Sequence, residues 1–383
     1  RTMTQETNPN NNPRRRGISR RDFLKAATAA GLLAGCRPTQ GQPTVTPTKA
    51  PTATSTLAPE LQVTPKPTRT PIPTPTVEAL HKPEVIKMYP DVPSKVVQVH
   101  HAGVWEGEDL IPEAMRQMLD AAITELTGLN DATEAWAALF SPDERIAIKV
   151  NAFRNSIIWT HAPLAMAVTE RLQEAGVPAE QIVIFDYYTR ELEEADYPLN
   201  VDGSGVRCYG TDSNYTSGWK VRNIGVRLSD ILLNCDALIN MPILKSHMIS
   251  GLSFALKNHY GTVNNPGSLH SQIGSAIAQL NALPPIKDRT RLIVGDVLTA
   301  CLRYKGSYPY WDSDWTGDSI LMSFDPVAHD TVGLQMLSQL LTDDGGNPAA
   351  ITGMATPCLE SGAELGLGTN DLENMELVEV NLG

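Results

Sequence analysis

Arg145-Ile146-Ala147-Ile148-Lys149-Val150-Asn151 is an apolar run of strand length that closes on an asparagine, and Asp236-Ala237-Leu238-Ile239-Asn240-Met241 repeats the pattern. A strand with one wet face alternates apolar and polar residues; a strand covered on both faces reads as a continuous apolar run. Both stretches are of the second kind, as are Gln181-Ile182-Val183-Ile184-Phe185-Asp186 and Arg291-Leu292-Ile293-Val294-Gly295-Asp296. Lys95-Val96-Val97-Gln98-Val99-His100 precedes them, and a short Ile320-Leu321-Met322-Ser323 follows. Between the strands, residues 112–126, 163–175 and 328–341 carry apolar residues at helical spacing. Pro112 suits a first helical turn, and Gly176 with Pro178 stops the second helix. Strands alternating with helices predict an α/β fold, a mostly parallel, Rossmann-like sheet with helices on both faces.

Composition bounds the remainder. The chain has 383 residues, of which 42% are hydrophobic and 19% charged, so it is not a wholly disordered or fibrous protein. Its net charge of −12 argues against nucleic acid as a partner. No apolar run approaches the roughly 18–20 residues of a spanning helix.

The N-terminal part reads as an address. Ser19-Arg20-Arg21-Asp22-Phe23-Leu24-Lys25 matches the twin-arginine export consensus, a short apolar stretch follows, and Leu33-Ala34-Gly35-Cys36 has the form of a bacterial lipobox. Residues 1–35 are therefore expected to be a twin-arginine lipoprotein signal peptide, with Arg20 and Arg21 as the export signal and Cys36 as the lipidated residue. The expected partners are the twin-arginine translocase, the lipoprotein-processing machinery and the membrane through the lipid anchor. The expected location is the extracytoplasmic face of the cell membrane. Removing residues 1–35 would leave a mature chain of net charge −17. Residues 36–82 read as a disordered linker, because residues 37–80 hold ten Pro and twelve Thr and cannot build a core. The globular body is then 83–383.

Ligands of open α/β sheets sit beyond the carboxyl ends of the strands. Asn151, Asp186, Asn240 and Asp296 occupy those ends. The densest polar segment begins at Asn240-Met241-Pro242-Ile243-Leu244-Lys245-Ser246-His247, in which Lys245 and His247 are read as loop residues. Lys257, Asn258 and His259 follow at the end of a short helix, and His270 a little further on. Such cations in an acidic chain suit a carboxylate, a phosphate or an enolate-like oxygen. The alternative is a set of exposed loop residues and a helix C-terminus favoured by the macrodipole. His247 with Asp296 and Asp330 is the candidate set for a divalent metal, and no cofactor is otherwise indicated. The body's four cysteines, Cys208, Cys235, Cys301 and Cys358, form no C-x-x-C pair, so no iron–sulfur cluster is expected; disulfides and buried free thiols both remain open. His100 and His101 are neighbours in a strand and face opposite ways. Asp325, followed by Pro326, reads as a helix N-cap.

Ile148-Lys149-Val150-Asn151, Thr160-His161-Ala162-Pro163, the segment 238–247, Ala255-Leu256-Lys257-Asn258-His259-Tyr260-Gly261, His270 and Ser323-Phe324-Asp325-Pro326-Val327-Ala328-His329-Asp330 together resemble the family named domain of unknown function 362, or DUF362. The resemblance runs from about residue 95 to the C-terminus. It implies a site at Lys245, His247, Lys257, Asn258 and Asp330 and supplies no reaction. Some relatives carry ferredoxin-type cysteine clusters, which this chain lacks.

The reading is an envelope-anchored enzyme acting on a small anionic or carbonyl-containing molecule in a strand-end cleft. Lys245 and Lys257 would hold the oxygen, His247 would act as general acid/base, and Asn151, Asn240, Asn258 and His270 would bind substrate. The alternatives are a lipid-anchored solute-binding protein without catalysis and a structural surface protein.

Overall fold

The computed structural model describes residues 82–153 and 156–383, so the export-signal, lipidation and linker expectations for residues 1–81 lie outside the described residues. A ten-stranded sheet organises the body. Its strands are β1 (Ser94–His101), β2 (Ile146–Lys149), β3 (Ile182–Phe185), β4 (Arg207–Cys208), β5 (Ala237–Asn240), β6 (Ile243–His247), β7 (Gly251–Ser253), β8 (Thr290–Cys301), β9 (Trp315–Ser323) and β10 (Met375–Leu382). The order is β10-β1-β9-β8-β5-β2-β3-β4, with β6 added beside β8 and β7 beside β6. The run β8-β5-β2-β3-β4 is parallel throughout. β9 is antiparallel to both β8 and β1, and β10 runs parallel to β1 at the edge.

The continuous apolar runs are the strands covered on both faces. Every residue of β2 and of β5 is buried. Ile146 and Ile148 face one core and Ala147 the other, as the two-residue period of a strand requires. Helices α1 (Pro112–Thr127), α2 (Ala132–Leu139) and α3 (Ala162–Glu174) cover the first face. Met115, Met118, Leu119, Ala122 and Ile123 form the buried stripe of α1, which begins on Pro112 and ends where Gly128 takes a φ of 73°. Helices α4 (Ala255–Asn258), α5 (Ile273–Asn281), α6 (Pro326–Asp343) and α7 (Ala349–Glu364) cover the second. The expected α/β architecture with helices on both faces is the observed one.

Several details differ from the sequence reading. Lys245 and His247 belong to strand β6, not to a loop. The short strand expected at 320–323 is the end of the nine-residue β9. β10 was not anticipated; Glu376 and Glu379 interrupt its apolar pattern because it is an edge strand with a wet face. All four cysteines of the body are buried free thiols. Asp325 caps α6 as expected, accepting from the Val327 and Ala328 amides at 2.8 Å each. His100 and His101 part as expected, His100 meeting Asp318 and His101 meeting Gln117.

Candidate functional site

The cleft starts from register. In β2 and β3, Lys149 lies beside Phe185, so the next residue of β3, Asp186, meets the Lys149 side chain. Lys149 Nζ stands 2.6 Å from Asp186 Oδ1 and donates to Val150 O at 2.6 Å and Asn258 Oδ1 at 3.4 Å. An ammonium has three donors, so Lys149 has none left for a ligand. Burial lowers its proton affinity and Asp186 opposes that. A Cβ on Gly261 would lie 2.4 Å from Asp186 Oδ1 and 2.6 Å from Lys149 Nζ, so the glycine of the Leu-Lys-Asn-x-x-Gly segment is the lid on this ion pair.

β6 supplies the next two groups. Lys245 and His247 are two apart on a strand and therefore share a face. Lys245 Nζ donates to Asn151 Oδ1 at 2.6 Å and, more weakly, to Ile158 O at 3.4 Å. That leaves one donor for a ligand. Burial pushes its pKa down to about 8. His247 Nδ1 accepts from the Ile249 and Ser250 amides at 3.2 Å each, which assigns the ring proton to Nε2. Burial, then Lys257, His270 and Lys245, hold its pKa well below the ordinary value. This direction runs against the premise that His247 titrates near neutral pH and, with Nδ1 facing two amides, favours a neutral ring with its proton on Nε2. It stacks with Trp311 at 5.5 Å and with His270 at 6.2 Å.

α4 brings Lys257 and Asn258. Asp330 starts this one-turn helix by accepting from the Ala255 and Leu256 amides at 2.7 and 2.9 Å. Lys257 Nζ lies 4.2 Å from the centre of the Tyr260 ring and meets no hydrogen-bond acceptor or carboxylate among the described residues. Burial and the Lys245 charge push its pKa down to about 7. Asn258 is buried and joins the elements: its Nδ2 donates to Asn240 Oδ1 and Lys149 O, and its Oδ1 accepts from Lys149 and Asn151.

Lys149, Asn151, Lys245, His247, Lys257, Asn258 and His270 line one cavity of about 450 Å³. Phe153, Tyr187, Tyr188 and Trp311 form an aromatic wall, and Arg190, Glu191 and Asp186 complete the charges. Three lysines and an arginine thus share the cavity with two carboxylates. Asp186 is one of the four strand-end residues; Lys149 and the aromatic wall were not among the expected site residues. For Lys149 the sequence signal was a lysine inside the apolar run of β2, because a buried charge needs a partner.

Three expected site residues lie elsewhere. Asn240 is fully buried behind the cleft, donating to Ala255 O and accepting from Asn258, so it supports the site and lines none of it. Asp296 accepts from both the backbone and the ring Nδ1 of His161 at 2.8 Å. Burial would lower the His161 pKa, but Asp296 raises it overall. Asp330 is consumed by the α4 amides, and His329 is fully buried against Phe254. His247, Asp296 and Asp330 therefore do not converge. Among the described residues no group of three or more His, Cys, Asp or Glu is placed to hold a metal ion.

Residues 146–335 match the model of a family described as a domain of unknown function, DUF362. No curated protein matches the chain. Among solved structures it is similar to the lactate racemase apoprotein from Thermoanaerobacterium thermosaccharolyticum, at 11% identity and a TM-score of 0.34. That likeness covers 63% of this chain and 57% of the other, so the chain spans little more than half the length of the neighbour.

Proposed function

We propose, for a chain that belongs to the DUF362 family through residues 146–335, that the β6–α4 cleft is the site of an enzyme acting on a small anionic or carbonyl-containing molecule. The observation that carries the reading is the graded engagement of three lysines. Among the described residues, Lys149 spends all its donors on the protein, Lys245 keeps one, and Lys257 keeps all three. Donors held along one buried cavity stabilise negative charge on a bound oxygen with little reorganisation. The Nε2–H of His247 adds a neutral donor on the same face. The aromatic wall suits an apolar or planar part of the same molecule.

Thermal denaturation of the full chain with a panel of carboxylates and phosphates tests this. A ligand that binds the folded state raises the midpoint in proportion to RT ln(1 + [L]/Kd). The shift is expected for wild type and lost in Lys245→Ala and Lys257→Ala. Consumption of the ligand, followed by NMR, separates catalysis from capture without turnover. No shift with any anion refutes the reading.

We further propose that the protein works outside the cytoplasm, tethered through Cys36. The support is the order of Arg20-Arg21, apolar stretch and Leu33-Ala34-Gly35-Cys36. Metabolic labelling with palmitate is expected to mark wild type and not Cys36→Ala; equal labelling of both sinks the anchor.

A further inference from the structure

Lys257 and Lys245 line the same cleft with opposite engagements. Lys245 is fastened as a donor by Asn151 Oδ1 at 2.6 Å, which favours the ammonium. Among the described residues, Lys257 Nζ meets the face of Tyr260 and no hydrogen-bond acceptor, and the ring positions the amine without accepting its protons in a hydrogen bond. An amine that is half-buried, beside another cation and without an acceptor keeps its lone pair available.

We propose that Lys257 is a covalent nucleophile, condensing through Nζ with the carbonyl carbon of an α-oxo acid whose carboxylate is held by Lys245 and His247. The inference deepens the proposed function and rests on it. In the first step the Nζ lone pair forms the C–N bond, the carbonyl π pair moves to oxygen, and that oxygen gains a proton while nitrogen loses one. In the second, the carbinolamine hydroxyl takes a proton and leaves as water, and nitrogen forms C=N to carbon. One water is released, and no oxidant or reductant is needed. The lowered pKa of Lys257, about 7, supplies neutral amine at physiological pH; the one free donor of Lys245 is engaged with the carboxylate, so the proton that the leaving hydroxyl takes up comes from solvent. The protonated imine so formed withdraws electrons from the adjacent carbon, which places proton removal or decarboxylation within the chemistry of the site.

The test is reductive trapping. The full chain is incubated near pH 7 with pyruvate, glyoxylate, 2-oxoglutarate or phenylpyruvate, each with cyanoborohydride, and the modified peptides are mapped by mass. One secondary-amine adduct on Lys257 is expected, roughly a hundred-fold above that on the exposed Lys220 and Lys287, because an ordinary lysine is almost wholly protonated at this pH. Lys257→Arg, which keeps the charge and the contact with Tyr260, should lose the adduct while retaining the folded circular-dichroism signal. Labelling of Lys257 no greater than that of the exposed lysines, with all four acids, overturns the proposal. If the same acids still raise the thermal midpoint, the anion site stands and the covalent step alone falls. If they neither label nor stabilise, both readings fall for this substrate class.

Discussion

Lys149 Nζ and Asp186 Oδ1 stand 2.6 Å apart at the carboxyl ends of two adjacent parallel strands, and Gly261 closes over them with no room for a Cβ. This pair is the floor of the cleft. It fixes Asn258 through Lys149, and Asn258 in turn fixes Asn151, whose oxygen holds Lys245. A buried ion pair is costly to break from one side because the survivor is left as an uncompensated charge.

Asp186→Asn is accordingly expected to destabilise the fold by about 3–5 kcal/mol, and Lys149→Met combined with it to recover a large part of that loss. Urea denaturation of wild type, the single variant and the double variant checks the sign of the coupling. Gly261→Ala should resemble the single variant, since its Cβ would fall 2.4 Å from Asp186 Oδ1. A Gly261→Ala protein as stable as wild type would show that the lid can move.

The sequence made the central strands legible because burial on both faces removes alternation, and Ile146-Ala147-Ile148 and Ala237-Leu238-Ile239 have none. It concealed the strand carrying Lys245 and His247 because Pro242 and three polar residues imitate a loop, although all five residues of β6 are buried. It misdirected Asp330. An acid inside a helix and near other polar residues suggested the cleft, whereas its partners are two backbone amides of a helix distant in sequence. Spacing along one chain segment cannot reveal an orphan amide contributed by another. The same limit hid Trp311, which reaches the site through a loop pinned by its own Nε1 hydrogen bond to Ser246 O at 2.8 Å.

Asp330 offers a second prediction. Its carboxylate satisfies the first amides of α4, and Lys257 lies two residues beyond Ala255. Asp330→Ala leaves both amides unpaired in a buried place and is expected to cost about 1–3 kcal/mol. It should also weaken anion binding, since the lost cap loosens the turn that aims Lys257. Asp330→Asn keeps one acceptor and should fall between. A titration by thermal midpoint measures both effects; unchanged anion affinity in Asp330→Ala would separate the cap from the site.

Lys257 makes stability depend on pH in a defined direction. Its folded pKa of about 7 lies below the ordinary lysine value of 10.5, so between these values the unfolded chain binds more protons than the folded one. Stability therefore rises with pH across that interval, by linkage, and the penalty of holding the charge in the cleft is fully present below it. Lys257→Met should flatten the rise. Lys245, lowered to about 8, and Lys149 add their own rise in the same direction, so the difference in denaturation midpoint between wild type and variant from pH 7 to 9, and not the wild-type slope alone, reports Lys257. Parallel pH dependences for the two proteins would contradict the assignment.

His247 provides the sharpest test of the site's electrostatics. Its Nδ1 faces two amide donors at 3.2 Å, so protonating that nitrogen would set a third N–H against them. Burial and the neighbouring lysines add to the cost. The ring is therefore expected to remain the Nε2–H tautomer throughout the pH 5–8 range in which an ordinary histidine titrates. Long-range nitrogen–proton NMR of the imidazoles reads this directly, and a titration of His247 within that range would refute it. His247→Phe keeps an aromatic ring against Trp311 but removes the Nε2–H donor. If that donor meets the bound anion, affinity should fall by about 1.5–3 kcal/mol, the worth of a hydrogen bond to a charged group. Such a loss with an unchanged denaturation midpoint would assign His247 to the ligand. Equal affinity would leave anion binding to Lys245 and Lys257, with the imidazole as part of the wall.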